Sequence, residues 1–171
     1  MLWGKLMITR YKHKIDQPYS LHDMVVNKIE NRGGNLHLQF EHGFVITQDP
    51  YPQVEGNIII EEIDEDFCCV LLLSKLGQYG EFKGEKLSVR DFLNKYEGYK
   101  FEIVDEMYGY NQVEYLGYLT LSENVSVIQT VISIYFAGDI VYEVTESKEA
   151  IEAKVEELKK AQLKISENLS R

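Results

Sequence analysis

Between Leu36 and Glu41 the chain alternates strictly, with Leu36, Leu38 and Phe40 set against His37, Gln39 and Glu41. A period of two is the mark of a strand with one buried face. Residues 24–31 read as a strand upstream of it, and Arg32-Gly33-Gly34-Asn35 between the two predicts a hairpin turn. His42-Gly43 then turns the chain into a further strand at 44–47. The stretch 48–53 holds two of the three prolines and reads as a loop, because proline removes a ladder donor and restricts the residue before it. Beyond it, segments 57–63 and 67–73 are joined by the polar Asp64-Glu65-Asp66, which suits another hairpin. Phe67 to Leu73 is apolar on both faces, the pattern of a central strand covered on both sides.

Ser88 followed by Asp91 three residues on reads as a helix cap, with Phe92, Leu93 and Tyr96 on one side and Gly98 as the stop. Four strands then follow at 99–108, 113–121, 125–136 and 140–144, rich in β-branched residues and resembling a meander. From Ser147 onward alanine, glutamate and lysine dominate without glycine or proline, which is a long helix. Its apolar seam, Ile151, Val155, Leu158, Gln162, Ile165 and Leu169, steps alternately by four and three. A helix laid over the sheet is the favoured reading of that seam; a helix pairing with its twin in a second copy is the other. The expected fold is α+β: a mostly antiparallel sheet or sheets, a short internal helix near 89–97 and a long one near 147–168. These form one domain over 1–171, with a strand-rich body to 145.

Composition adds little until charge is placed along the chain. With 44% hydrophobic and 27% charged residues, the 171-residue sequence has the balance of a globular domain. Residues 1–32 carry six basic and three acidic groups, 33–145 six and nineteen, and 146–171 six and six, so the net charge of -10 belongs to the strands. An acidic body repels phosphate backbones and anionic membranes and steers in a basic protein partner. The first residues are too short for a secretion signal, and no run reaches the ~20 apolar residues of a membrane span. A cytoplasmic protein is expected. Cys68 and Cys69 are adjacent in an apolar run, so their side chains fall on opposite faces and behave as small apolar groups.

Two clusters are candidates for chemistry. His13, Asp16, His22 and Asp23 are metal-binding residue types within eleven residues, though His13 and His22 match no ligand spacing. The His22-Asp23 pair reads as extended, which points the two side chains apart; the alternative is a loop in which Ser20 or Asp23 satisfies local backbone donors. No nucleophile elbow, phosphate loop or dinucleotide fingerprint occurs, and no cofactor is expected. The second cluster is Tyr108, Tyr110, Tyr115 and Tyr118 beside Asp105, Glu106 and Glu114, an acidic, tyrosine-bearing hairpin. Tyrosine offers a stiff apolar body with a polar tip and suits interfaces; it also simply favours strands.

Residues 21–40, Leu-His-Asp-Met-Val-Val-Asn-Lys-Ile-Glu and then Gly-Asn-Leu-His-Leu-Gln-Phe, resemble the opening of small uncharacterised bacterial proteins, some of them similar to immunity proteins of toxin systems. The resemblance implies a protein-binding role and no functional residue. Three function classes stand: a non-catalytic binding protein presenting the acidic tyrosine surface, which is preferred; a metal-dependent enzyme or metal-binding protein using His13 to Asp23; and a structural subunit dimerising through the terminal helix.

Overall fold

The computed structural model describes residues 7–11, 17–73, 84–120 and 127–169. Thirteen strands and two helices are found among them: β1 (Met7–Tyr11), β2 (Tyr19–Ser20), β3 (Met24–Arg32), β4 (Asn35–Phe40), β5 (Phe44–Ile46), β6 (Gln53–Val54), β7 (Gly56–Ile60), β8 (Cys69–Leu72), β9 (Glu85–Leu87), α1 (Val89–Lys95), β10 (Lys100–Gly109), β11 (Gln112–Thr120), β12 (Val127–Tyr135), β13 (Ile140–Val144) and α2 (Lys148–Leu169). Every pairing is antiparallel. The fold is α+β, with a short internal helix and a long C-terminal one. None of the helices among the described residues is long and apolar enough to cross a membrane.

Ten strands form one sheet in the order β1-β13-β7-β4-β3-β10-β11-β12-β8-β9. This sheet cannot be flat. From β13 to β12 there are six strand spacings, about 29 Å across a flat sheet, yet only the four residues 136–139 connect the two, reaching about 18 Å at full extension. The sheet rolls instead, and the chain stays paired through the corner. Ile63 bridges Phe136, the Asp64 amide donates to the Tyr135 carbonyl at 2.9 Å and the Glu61 amide to that of Asp139 at 2.9 Å.

Three expectations are corrected. Segments 57–63 and 67–73 do not form a hairpin: β7 lies between β13 and β4, and β8 between β12 and β9. The meander holds for β10, β11 and β12 but β13 leaves it to pair with β7 and β1. Nor is 67–73 covered on both faces. Val70 and Leu72 are buried, Cys69 and Leu71 are half-buried, and Phe67 is 72% exposed. The apolar outer positions of this strand are on the surface.

The inner face of the roll holds a contiguous core that includes Leu36, Leu38, Ile58, Ile60, Phe101, Ile103, Val113, Ile132 and Ile134. A small sheet, β2-β5-β6, adds Tyr19 and Phe44 against Tyr142, with ring centroids 4.6–5.5 Å apart. Gly43 makes this possible, for its φ is 67° and a Cβ there would lie 1.8 Å from the Val54 carbonyl oxygen. Helix α1 starts as its sequence requires: the Ser88 hydroxyl accepts from the Asp91 amide at 3.0 Å and donates to the Asp91 carboxylate at 2.7 Å. It drops Val89 and Phe92 into the core.

Helix α2 does not lie over the sheet. Only Ile151 is buried, Lys154 and Val155 are half-buried, and every residue from Glu156 to Leu169 is exposed. Its first turn is anchored by Ser147, whose hydroxyl accepts from the Ala150 amide, and by Lys154, which reaches Glu146 at 2.5 Å and the Gln53 carbonyl at 3.1 Å. The rest projects from the body.

Candidate functional site

The hairpin β10–β11 divides its residues between two faces. The register slips between Ile103 and Asp105, where β10 carries an extra residue, Val104, opposite β11. Gly117 permits the close approach there, since a Cβ at that position would stand 1.9 Å from the Glu102 carbonyl oxygen. After the bulge, Glu106 and Tyr108 turn inward while Asp105 and Met107 face out. On β11, Val113, Tyr115, Gly117 and Leu119 point in, and Glu114, Leu116 and Tyr118 point out.

The seven residues of the acidic tyrosine cluster are thus not one surface. Tyr115 is fully buried, and it is removed from any partner-facing role by its place on the inward side of β11. Glu106 and Tyr108 join it inside. Glu106 accepts from the Leu21 amide at 3.2 Å and from the Tyr108 hydroxyl at 3.2 Å, and Tyr108 and Tyr142 share a hydroxyl contact of 3.1 Å. Desolvation pushes the Glu106 carboxyl above the ordinary carboxylate range, and burial pushes the Tyr108 and Tyr115 phenols up as well. Tyr115 is fully buried and Glu106 and Tyr108 are half-buried, and the group ties strands together across the interior.

Asp105, Tyr110, Glu114 and Tyr118 remain outside. Tyr110 sits in the hairpin turn, 80% exposed. Across the outer face, the register sets Asp105 opposite Leu116, Leu116 opposite Val131, Val131 opposite Leu71, and Leu71 opposite Lys86. Leu116, Val131 and Leu71 are half-buried and form an apolar row over three adjacent strands. Glu102 and Tyr118 are cross-strand neighbours on one side of that row, and Met107 and Glu114 on the other. Glu114 accepts from Gln112 and from the Ser133 hydroxyl, each at 3.1 Å, so its carboxylate is held in place. At the far end Phe67 and Tyr135 stack with centroids 5.8 Å apart, both exposed. Sequence reasoning found the acids and tyrosines but not the apolar row, because Leu71, Val131 and Leu116 come from three separate segments. The apolar outer positions of 67–73 were the available signal, and they were assigned to a covered face.

A cavity of about 640 Å³ lies between α1 and β3 over Phe92, Phe101, Leu119, Ile29, Tyr96 and Tyr99. Its volume is that of a small-molecule site. Its two cations are already committed, Lys28 to Glu30 at 2.8 Å and Arg90 to Glu65 at 2.8 Å, while Asn31 donates to the same Glu65 at 2.7 Å. The acidic run 61–66 is likewise tied into the fold, with Arg10 bridging Glu61 and Asp139 at 2.6 and 3.3 Å.

His13 and Asp16 lie outside the described residues. His22 and Asp23 do meet, with Nε2 and Oδ2 3.5 Å apart, because Asp23 has φ 62° and folds back rather than continuing an extended chain. His22 Nδ1 contacts the Val104 carbonyl oxygen at the bulge, and the His22 amide donates to the Ser20 hydroxyl at 3.3 Å, the local satisfaction expected of a loop. Among the described residues no group of three or more histidine, cysteine, aspartate or glutamate side chains is placed to hold a metal ion. Cys68 is buried, its Sγ contacting both the amide and carbonyl of Tyr135, and desolvation raises its thiol pKa. Such a thiol is poorly ionised and a weak nucleophile.

Comparison with protein-family models, curated proteins and solved structures finds no match for this chain.

Proposed function

We propose that the outer face of β10, β11, β12 and β8 docks a basic protein, and that the chain is a non-catalytic binding protein. The observation that carries this reading is the cross-strand row Leu116, Val131 and Leu71, an apolar stripe of half-buried side chains on the outer face of the sheet. Such stripes rimmed by polar groups mark interaction sites. Met107, Tyr118, Phe67 and Tyr135 enlarge it with the side-chain types that dominate binding energy at protein interfaces. Glu102, Asp105 and Glu114 set a negative rim beside it, and Lys86 closes the row on the β9 side. The excess of acid over residues 33–145 extends that field and favours a partner of opposite sign by raising its rate of encounter. The resemblance of residues 21–40 to small uncharacterised bacterial proteins, some of them similar to immunity proteins, agrees with this class.

Affinity capture from host lysate separates this reading from its rivals when three proteins are compared: the unaltered chain, Leu116→Lys/Val131→Lys, and Glu102→Lys/Asp105→Lys. A protein recovered by the unaltered chain at low salt and lost with both variants, at unchanged melting temperature, is the expected result. Equal recovery by all three overturns the assignment of this face.

A further inference from the structure

We propose that α2 pairs antiparallel with α2 of a second copy of this chain, forming a twofold dimer whose bodies stand at opposite ends of the helix pair. This goes beyond the sheet-face reading and rests on different residues. The helix is 22 residues long, roughly 33 Å, and the body covers only its first two turns. Along the projecting part, Leu158 is 36% exposed, Ile165 60% and Leu169 83%. These are the seam positions at alternating steps of four and three, the spacing by which one helix packs its knobs into another. Most helical stability in proteins comes from packing of an apolar face, and a second helix on the seam would supply it here.

Charge identifies the occupant. The helix is neutral while the rest of the chain carries the whole net charge of -10, so α2 is the element on which two copies approach with least repulsion. The neutrality is also polar along the axis. Residues 148–158 hold Lys148 and Lys154 against Glu149, Glu152, Glu156 and Glu157; residues 159–169 hold Lys159, Lys160 and Lys164 against Glu167. The first half is thus net -2 and the second +2. A parallel pair would set like halves together. An antiparallel pair sets each acidic half against the basic half of the other copy, and it also separates the two acidic bodies. In the register that does this, Val155 meets Ile165 of the second copy, Leu158 meets Gln162, and the two glutamines fall in adjacent layers at the twofold axis. A polar residue in such a seam selects one register at some cost in stability.

Sedimentation equilibrium of the full chain over roughly a hundredfold concentration range tests the pairing. The expected result is a mass rising toward twice the chain mass of 19.9 kDa, and a mass of one chain throughout for Leu158→Glu/Ile165→Glu. Because those substitutions lie on the exposed part of the helix, their melting temperature reports that the body stays folded. Orientation is read by oxidative cross-linking in a Cys68→Ala/Cys69→Ser background. Val155→Cys mixed with Ile165→Cys is expected to give a cross-linked dimer, and Ile165→Cys alone none. A single-chain mass for the unaltered protein at all concentrations overturns the proposal, as does a dimer that survives Leu158→Glu/Ile165→Glu. Cross-linking of Ile165→Cys to itself replaces the antiparallel pair with a parallel one.

Discussion

The hydroxyl of Tyr108 stands 3.1 Å from that of Tyr142, linking β10 to β13 across the interior although three strands separate them in the sheet. The contact exists because the sheet rolls and because the bulge at Val104 turns Tyr108 inward. Tyr142→Phe removes it while leaving the ring contacts with Tyr19 and Phe44 in place. Denaturant unfolding is expected to show a loss of about 1 kcal/mol, the net worth of one buried hydrogen bond.

Tyr115 gives the opposite result. Its hydroxyl is fully buried and has no hydrogen-bond partner among the described residues. Burying a polar group without a partner costs free energy that phenylalanine avoids at nearly the same shape. Tyr115→Phe is therefore expected to leave stability unchanged or raise it by about 1 kcal/mol, measured in the same titration. A loss matching that of Tyr142→Phe contradicts the assignment.

Glu106 sets a pH dependence of definite sign. Its carboxyl titrates higher in the folded chain than in the unfolded one, chiefly through burial and against the pull of the Leu21 amide and the Tyr108 hydroxyl. The folded state thus holds this proton more tightly. The contribution is fully present below the ordinary glutamate pKa of about 4.3 and is lost as pH rises through the raised folded value. Glu30 and Glu41 behave in reverse, held low by hydrogen bonds from Lys28 and Arg32 and from Lys100, so they contribute above that range and lose it on acidification. The melting temperature of Glu106→Gln relative to the unaltered protein is expected to rise from about pH 4 to about pH 7. A difference that falls as pH rises contradicts a raised carboxyl at this position.

Gly117→Ala probes the bulge directly. The added methyl would meet the Glu102 carbonyl oxygen at 1.9 Å, a backbone atom that cannot step aside without moving β10. A destabilisation of about 3 kcal/mol is expected by thermal unfolding, at the upper end of the overpacking range.

The elements were legible where local pattern decides them. Leu36 to Glu41 alternates because one face is buried, the double glycine at 33 and 34 supplies the two positive φ angles of its turn, and Ser88 caps α1 through its own side chain. Partner choice was not legible, because β7 and β8 are separated by a short polar linker that looks like a turn, while the residues they pair with lie at least 13 positions away in sequence. The Val104 bulge was hidden for a related reason. One extra residue reverses the faces of Glu106 and Tyr108 without changing the apolar pattern enough to show. Gly117 in the middle of β11 is the visible trace, since glycine inside a strand marks a close backbone approach. The helix expected near 147–168 is present as α2, but it is not laid over the sheet: the period of a helix says which side is apolar but not what lies against it.

Site-specific photo-cross-linking in host cells tests the docking face most directly. A photoreactive residue placed at Val131, in the centre of the apolar row, is compared with one at Asn27, an exposed position on β3. A discrete protein adduct at 131, absent at 27 and lost when Glu102→Lys/Asp105→Lys is added, is the expected result. No adduct at 131, or the same adduct at both positions, contradicts it.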